Sequence, residues 1–386
     1  MPLRSDLTLE VSKFAPEAID EKTRKLNEHL IEVTRNGPRW YEVVPLPILS
    51  PAFPQRSVVA VPQSLSLMDC HEFGTPEPSV GAAKYRKMRW AGETPFPKPV
   101  VLDSGIDMTL PSREAGREIP CRMFKPPQGK DVKGVVMHIH GGGWVLNDEK
   151  FQDYYLKFMA DNADMVVISV GYRLAPEHPF PQGPEDCYDV AEYLVQHGKS
   201  KYGGDLAFIG GESAGAHLAV LTTFHLLSHP PYTSSPTLRG LLLHFGAYDL
   251  TDFLPQAHHF DKPLILDYNI MSHFLSAFLP STTSADRRSP SISPFYQDLN
   301  VFRTAGGSKL PPALFTCGTE DCLLDDTVVM ASKWLMAGAE ATVRIYPGAP
   351  HGFIMFPPSA SPAAGEGLEA TREFMAEVMG RGGARL

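Results

Sequence analysis

From about residue 100 onward the chain alternates short aliphatic runs with helical stretches, and this rhythm leaves few folds open. Residues 132–139, 164–170, 206–210, 241–245, 313–317 and 341–346 are each brief, rich in aliphatic residues, and soon followed by Gly, Pro or Asp. A largely apolar run of that length suits a strand covered on both faces, as in a parallel sheet. Between these runs, residues 154–160, 187–196, 216–227 and 327–336 read as helices. The expected fold class is therefore α/β, a mostly parallel twisted sheet flanked by helices on both faces. In such sheets the functional residues gather at the carboxyl ends of the strands.

Two segments depart from the rhythm. Residues 251–310 separate two expected strands by about sixty positions, too many for a structureless loop. They are also unusually apolar, with Phe253, Leu264, Ile265, Leu266, Tyr268, Met271, Phe274, Phe278 and Leu279. Near the N-terminus, Leu26, Leu30 and Ile31 recur at helical spacing within 18–34, and a second short helix is expected over 80–89. Pro45, Pro47, Pro51, Pro54 and Pro62 disfavour long helices and central strands between them. Trp40, Tyr41, Phe53 and Trp90 need somewhere to bury their rings. The expected organisation is an N-terminal cap segment (1–95), the first part of a core (96–250), a cap insertion (251–310) and the second part of the core (311–386).

Composition removes several function classes. The 386 residues are 43% hydrophobic and 20% charged, with a formal net charge of -9 and both signs mixed along the chain. No tail or helix face concentrates Lys and Arg, so neither nucleic acid nor a membrane surface is an expected partner. No run approaches the length of a membrane span. Cys70, Cys121, Cys187, Cys317 and Cys322 are odd in number and lack metal-ligand spacing, which suits free thiols in a reducing compartment. No metal, dinucleotide or other cofactor is expected. Met1 to Asp20 carries charges throughout and has no secretory apolar stretch, so a cytoplasmic location is the expectation. The alternative is peroxisomal, because Ala384-Arg385-Leu386 resembles a loose variant of that ending.

The chemistry is carried by four short stretches. Gly211-Glu212-Ser213-Ala214-Gly215 follows an expected strand and opens an expected helix. This is the setting of a nucleophile elbow, which raises a serine hydroxyl above the sheet on a strained turn. His140-Gly141-Gly142-Gly143-Trp144 closes an earlier strand. Its glycines let backbone N–H groups approach a reacting carbonyl, so Gly142, Gly143 and the amide of Ala214 are the expected oxyanion donors. His140 is expected to tie that loop together. A phosphate loop would want Lys and Ser or Thr at the helix start, and neither is there. The base and its orienting acid should follow the serine in chain order, acid first. Of fourteen histidines, only His351 lies in a loop after the last expected strand. Asp321 lies just past the strand over 313–317, with Glu320, Asp325 and Asp326 as rivals that spacing does not exclude.

Together, His140 to Trp144, the stretch from Tyr172 to Pro181 (YRLAPEHPFP) and the Ser213 elbow resemble the hormone-sensitive-lipase group of α/β-hydrolases over roughly residues 80 to 380. The resemblance implies an α/β-hydrolase fold with a helical cap. It also implies an acid within G-x-x-D-x-L-x-D, here Gly318, Asp321, Leu323 and Asp325, which favours Asp321 and leaves Asp325 to support the turn. The stretch from Tyr172 to Pro181 would position the oxyanion loop and the pocket floor. Glu212, Ala216 and Cys322 stand where Asp, Gly and Pro are commoner in the group. The long proline-rich N-terminal segment is more similar to fungal members, which often serve secondary-metabolite pathways.

The expected function is a serine carboxylesterase acting on a short-chain or small aromatic ester of a metabolite, through an acyl-enzyme on Ser213. Trp144 is expected to line the substrate pocket. The same triad could instead serve a lactone, a thioester or acyl transfer. A ligand receptor that has lost catalysis is the rival from another class, and retention of Ser213, Asp321, His351 and the glycine loop speaks against it. Oligomeric state is not legible.

Overall fold

The computed structural model describes residues 9–41, 80–229, 238–304 and 307–380. Pro45, Pro47, Pro51, Phe53, Pro54, Pro62, Cys70 and the terminal Ala384-Arg385-Leu386 lie outside the described residues.

Eight strands form one sheet: β1 (Ile106–Pro111), β2 (Glu118–Phe124), β3 (Val135–Ile139), β4 (Val166–Val170), β5 (Leu206–Glu212), β6 (Gly240–His244), β9 (Ala313–Glu320) and β10 (Ala341–Pro350), in the order β1-β2-β4-β3-β5-β6-β9-β10. The strands β7 (Arg303–Thr304) and β8 (Gly307–Ser308) make a separate two-stranded pair. All neighbours from β4 to β10 across the sheet are parallel, whereas β1 and β2 are antiparallel to each other and β2 is antiparallel to β4. The helices are α1 (Glu21–Asn36), α2 (Ala82–Ala91), α3 (Asp153–Ala163), α4 (Gln182–Tyr202), α5 (Ala214–Ser228), α6 (Pro255–His259), α7 (Tyr268–Phe278), α8 (Ser284–Arg287), α9 (Leu324–Met336) and α10 (Pro362–Gly380). All six strands expected from the apolar runs are present. The antiparallel pair β1–β2 and the helix α10 carry no clear periodic signal in the sequence, because prolines at 111, 120 and 362 and glycines at 365 and 367 break the patterns.

Alternation along each buried strand sorts side chains to two faces. Val135, Met137 and Ile139 of β3 join Val190 and Leu194 of α4, Leu218 of α5 and Trp334 of α9 in one core. Val136 joins Phe208, Leu242 and Leu314, which pack against Leu156 and Met159 of α3 and Phe374 and Met375 of α10. Each such side chain taken from water contributes about 1.5–3 kcal/mol, so the double coating explains why the central strands tolerate no exposed position.

Helix α1 is started by Asp20, whose carboxylate accepts from the amides of Lys22 and Thr23. It docks beside β10 through Asn27, which donates to the Gly348 carbonyl, and through a buried Thr23–Ser361 contact of 2.9 Å. Downstream, Trp40 stacks on Phe274 (4.7 Å) and Tyr41 on His273 (4.0 Å), so the residues after α1 meet helix α7. Among the described residues no helix is long and apolar enough to cross a membrane.

Candidate active site

Ser213, Asp321 and His351 follow the carboxyl ends of β5, β9 and β10 respectively, and the three side chains meet there. Ser213 has φ 54° and ψ -119°, a conformation that costs a non-glycine residue energy and turns its hydroxyl out of the sheet. The turn demands glycine next door. A Cβ on Gly215 would stand 1.9 Å from the Ile139 carbonyl oxygen of β3.

His351 Nε2 lies 2.9 Å from Ser213 Oγ, and His351 Nδ1 lies 2.9 Å from Asp321 Oδ2. A carboxylate can only accept, so Nδ1 carries a proton and, in the neutral ring, Nε2 accepts from the serine hydroxyl. Asp321 is fully buried, and its other oxygen, Oδ1, accepts from the Leu323 amide at 2.9 Å. Phe245 packs edge-on against the His351 ring at 4.8 Å. Of the rivals for the acid, Glu320 pairs with Lys262, Asp325 accepts from the Gln256 amide, and Asp326 accepts from the amides of Tyr248 and Asp249. None of the three makes a hydrogen bond or ion pair with His351, whose ring nitrogens are taken by Asp321 and Ser213.

Facing the serine, the glycine loop is held from outside. Tyr172 stacks on His140 (4.3 Å) and donates its hydroxyl to the His140 carbonyl, while the Ala175 amide donates to the Trp144 carbonyl at 2.9 Å. The stretch from Tyr172 thus braces the loop, as its resemblance implied. Gly143 has φ +60°, and a Cβ there would enter the Phe274 ring at 2.2 Å. Among the described residues the amides of Gly142, Gly143 and Ala214 donate to no other group of the chain. The Ala214 amide also opens helix α5, where the dipole favours negative charge. Ser213, His351 and the glycine loop open into a cavity of about 840 Å³ with aromatic walls that include Tyr41, Tyr85, Phe96, Phe253 and Phe274. Trp144 borders this cavity, but it is only 4% exposed and its ring stacks on Phe278.

A sequence model described as alpha/beta hydrolase fold matches residues 136–355, more than half of the chain. The chain belongs to this family. Carboxylesterase NlhH of Mycobacterium tuberculosis is 30% identical over 266 residues, covering 67% of this chain and 79% of the relative. An ethyl acetate hydrolase of Pseudomonas putida is 28% identical over 253 residues, covering 64% and 75%. Among solved structures, a hyperthermophilic esterase from Pyrobaculum calidifontis superimposes with a TM-score of 0.65 at 27% identity, over 78% of this chain and 94% of that one. The chain is an α/β-hydrolase of the hormone-sensitive-lipase-like kind expected from its motifs.

Beneath Ser213 of this α/β-hydrolase lies a polar layer that no motif of the sequence marks. Ser169, His138, Glu212, His244 and Thr316 lie on five adjacent parallel strands and are all buried. His138 bridges Ser169 (2.9 Å) and Glu212 (2.9 Å), while His244 reaches Thr316 (2.8 Å) and the Tyr155 hydroxyl (2.7 Å). Gln152 donates to the second oxygen of Glu212. Burial works against the Glu212 charge, but the His138 imidazole and these hydrogen bonds outweigh it and hold the carboxyl below its ordinary range. The one signal available was polar residues, His138, Ser169 and His244, inside otherwise apolar runs. Among the described residues no cluster of three or more His, Cys, Asp or Glu side chains is placed to hold a metal ion.

Burial pushes His244 down to about 4. An unfolded chain protonates such an imidazole near pH 6.5, so between those values the unfolded state binds more protons and acid favours unfolding. Measured by urea midpoints, the wild type is expected to lose ground to His244→Gln by about 1.4 kcal/mol per pH unit as pH falls from 6.5 towards 4. Parallel stability curves for the two proteins would contradict this.

Proposed function

We propose that this α/β-hydrolase cleaves a short-chain or small aromatic carboxylic ester through an acyl-enzyme on Ser213. The observation that carries the reading is the unbroken pair of 2.9 Å hydrogen bonds from Ser213 through His351 to the buried Asp321. Ser213 Oγ attacks the acyl carbon while His351 Nε2 takes its proton. The carbonyl oxygen becomes an oxyanion held by the amides of Gly142, Gly143 and Ala214. As the intermediate collapses, Nε2 returns the proton to the leaving alcohol. A water then repeats the sequence on the acyl-serine, and the free acid leaves. The Asp321 carboxylate holds His351 Nδ1 throughout and supports the imidazolium.

The aromatic walls favour an apolar substrate, and the ethyl acetate hydrolase among the relatives supports a small acyl group. The test is turnover of p-nitrophenyl acetate and butyrate, with stoichiometric block by an organophosphate. Hydrolysis of both esters, abolished at one equivalent of inhibitor, is the expected result. If neither ester is cleaved and the inhibitor does not react, the chain is a binding protein on a hydrolase scaffold.

A further inference from the structure

We propose that His217 is a positioning residue for the oxyanion hole, acting through the side chain of Trp144. His217 lies on α5, and its amide donates to the carbonyl of Ser213, so it sits one helical turn beyond the nucleophile. Its ring is fully buried. His217 Nε2 lies 2.6 Å from the Ile292 carbonyl oxygen of the insertion, and Trp144 Nε1 lies 3.2 Å from His217 Nδ1. A carbonyl only accepts and an indole N–H only donates. Nε2 must therefore carry the proton and donate to Ile292, leaving the Nδ1 lone pair for Trp144. The relay needs a neutral imidazole, and burial pushes His217 down to about 4, so the ring stays neutral through the neutral range.

Trp144 immediately follows Gly143 and has φ 61°, a left-handed conformation that a bulky residue adopts only when its surroundings impose it. Three contacts impose it here. The indole N–H is held by His217, the ring lies flat on Phe278 of α7 at 4.7 Å, and the carbonyl accepts from the Ala175 amide. One residue back, the ring of Phe274, from the same helix, lies against Gly143. The helix that presents Ser213 therefore also fixes, through His217 and Trp144, the loop that faces it. A loop free to turn would let the Gly142 and Gly143 amides leave the oxyanion, and preorganised donors lose their value when they must first be ordered.

The inference rests on reading Gly142, Gly143 and Ala214 as the oxyanion donors. It is tested with Trp144→Phe, His217→Leu, their double variant and His217→Gln, all measured per titrated active site. Readouts are kcat and KM for p-nitrophenyl acetate and the affinity of a trifluoromethyl ketone, which forms a tetrahedral oxyanion on the serine. Trp144→Phe and His217→Leu should each lower kcat about ten-fold or more while KM moves less than about two-fold, and weaken the ketone by a similar factor. The double variant should be no worse than either single, because both cut one relay. His217→Gln, which can accept and donate at once, should recover most of the rate. Unchanged kcat in the two single variants, a loss confined to KM, or additive losses in the double variant would overturn the inference. Should His217→Leu fail to fold, Trp144→Phe decides alone, since it keeps an aromatic ring against Phe278. Ser213→Ala separates the two levels. Inactive Ser213→Ala beside fully active relay variants sinks only the role of His217, whereas active Ser213→Ala sinks the acyl-enzyme reading itself.

Discussion

Ser213→Ala is expected to lower kcat for ester hydrolysis about a million-fold, to the level left by binding and the oxyanion donors alone. The scale follows from what the hydroxyl does. Without it there is no acyl-enzyme, and water would have to attack the ester in one harder step. The fold should survive, because Ser213 is held in its strained turn by its amide, which donates to the His244 carbonyl at 2.9 Å, and alanine keeps that bond. The measurement is kcat on p-nitrophenyl butyrate at matched folded concentration. A loss smaller than about a hundred-fold would remove Ser213 from the mechanism.

Asp321→Asn is the second large effect, about 10⁴-fold in kcat, and here the local geometry dictates the mode of failure. The two carboxylate oxygens have separate tasks, Oδ1 for the Leu323 amide and Oδ2 for His351 Nδ1. Asparagine has one oxygen for both. Keeping the Leu323 bond turns its NH₂ towards His351, which must then accept at Nδ1 and carry its proton on Nε2, facing the serine. A ring in that tautomer cannot take the hydroxyl proton. Asp325→Asn provides the contrast. Its carboxylate accepts from the Gln256 and Asp326 amides, and His351 Nδ1 pairs with Asp321 instead, so kcat should change by less than about five-fold. Equal losses in the two variants would show that the effect of Asp321→Asn lies in folding.

Much of this site was legible because motif and period agreed. The elbow around Ser213 sits where a buried strand must turn into a helix, and chain order placed an acid and a base after it. Distinguishing Asp321 from Asp325 and Asp326 required the family resemblance, because three carboxylates within six residues have the same composition signal. The geometry then gives each its own partner. What was not legible depends on contacts between distant segments. His217 reads as one polar residue in an apolar helix, and its meaning comes from Ile292 and Trp144, each more than seventy positions away. Trp144 itself was expected to line the substrate pocket. It does border the cavity, but its ring is spent on Phe278 and His217, a partition between wall and brace that no local pattern reveals. The strands β1 and β2 escaped for a different reason. Exposed positions and prolines mask a pairing that only the neighbouring β4 makes favourable.

The most direct test of the acyl-enzyme is mass spectrometry of the protein quenched in acid during turnover of a slow ester, such as a p-nitrophenyl pivalate. One acyl group per chain is expected, mapped to the peptide containing Ser213 and absent from Ser213→Ala. Turnover with no acyl adduct, or an adduct on another residue that persists in Ser213→Ala, would contradict it.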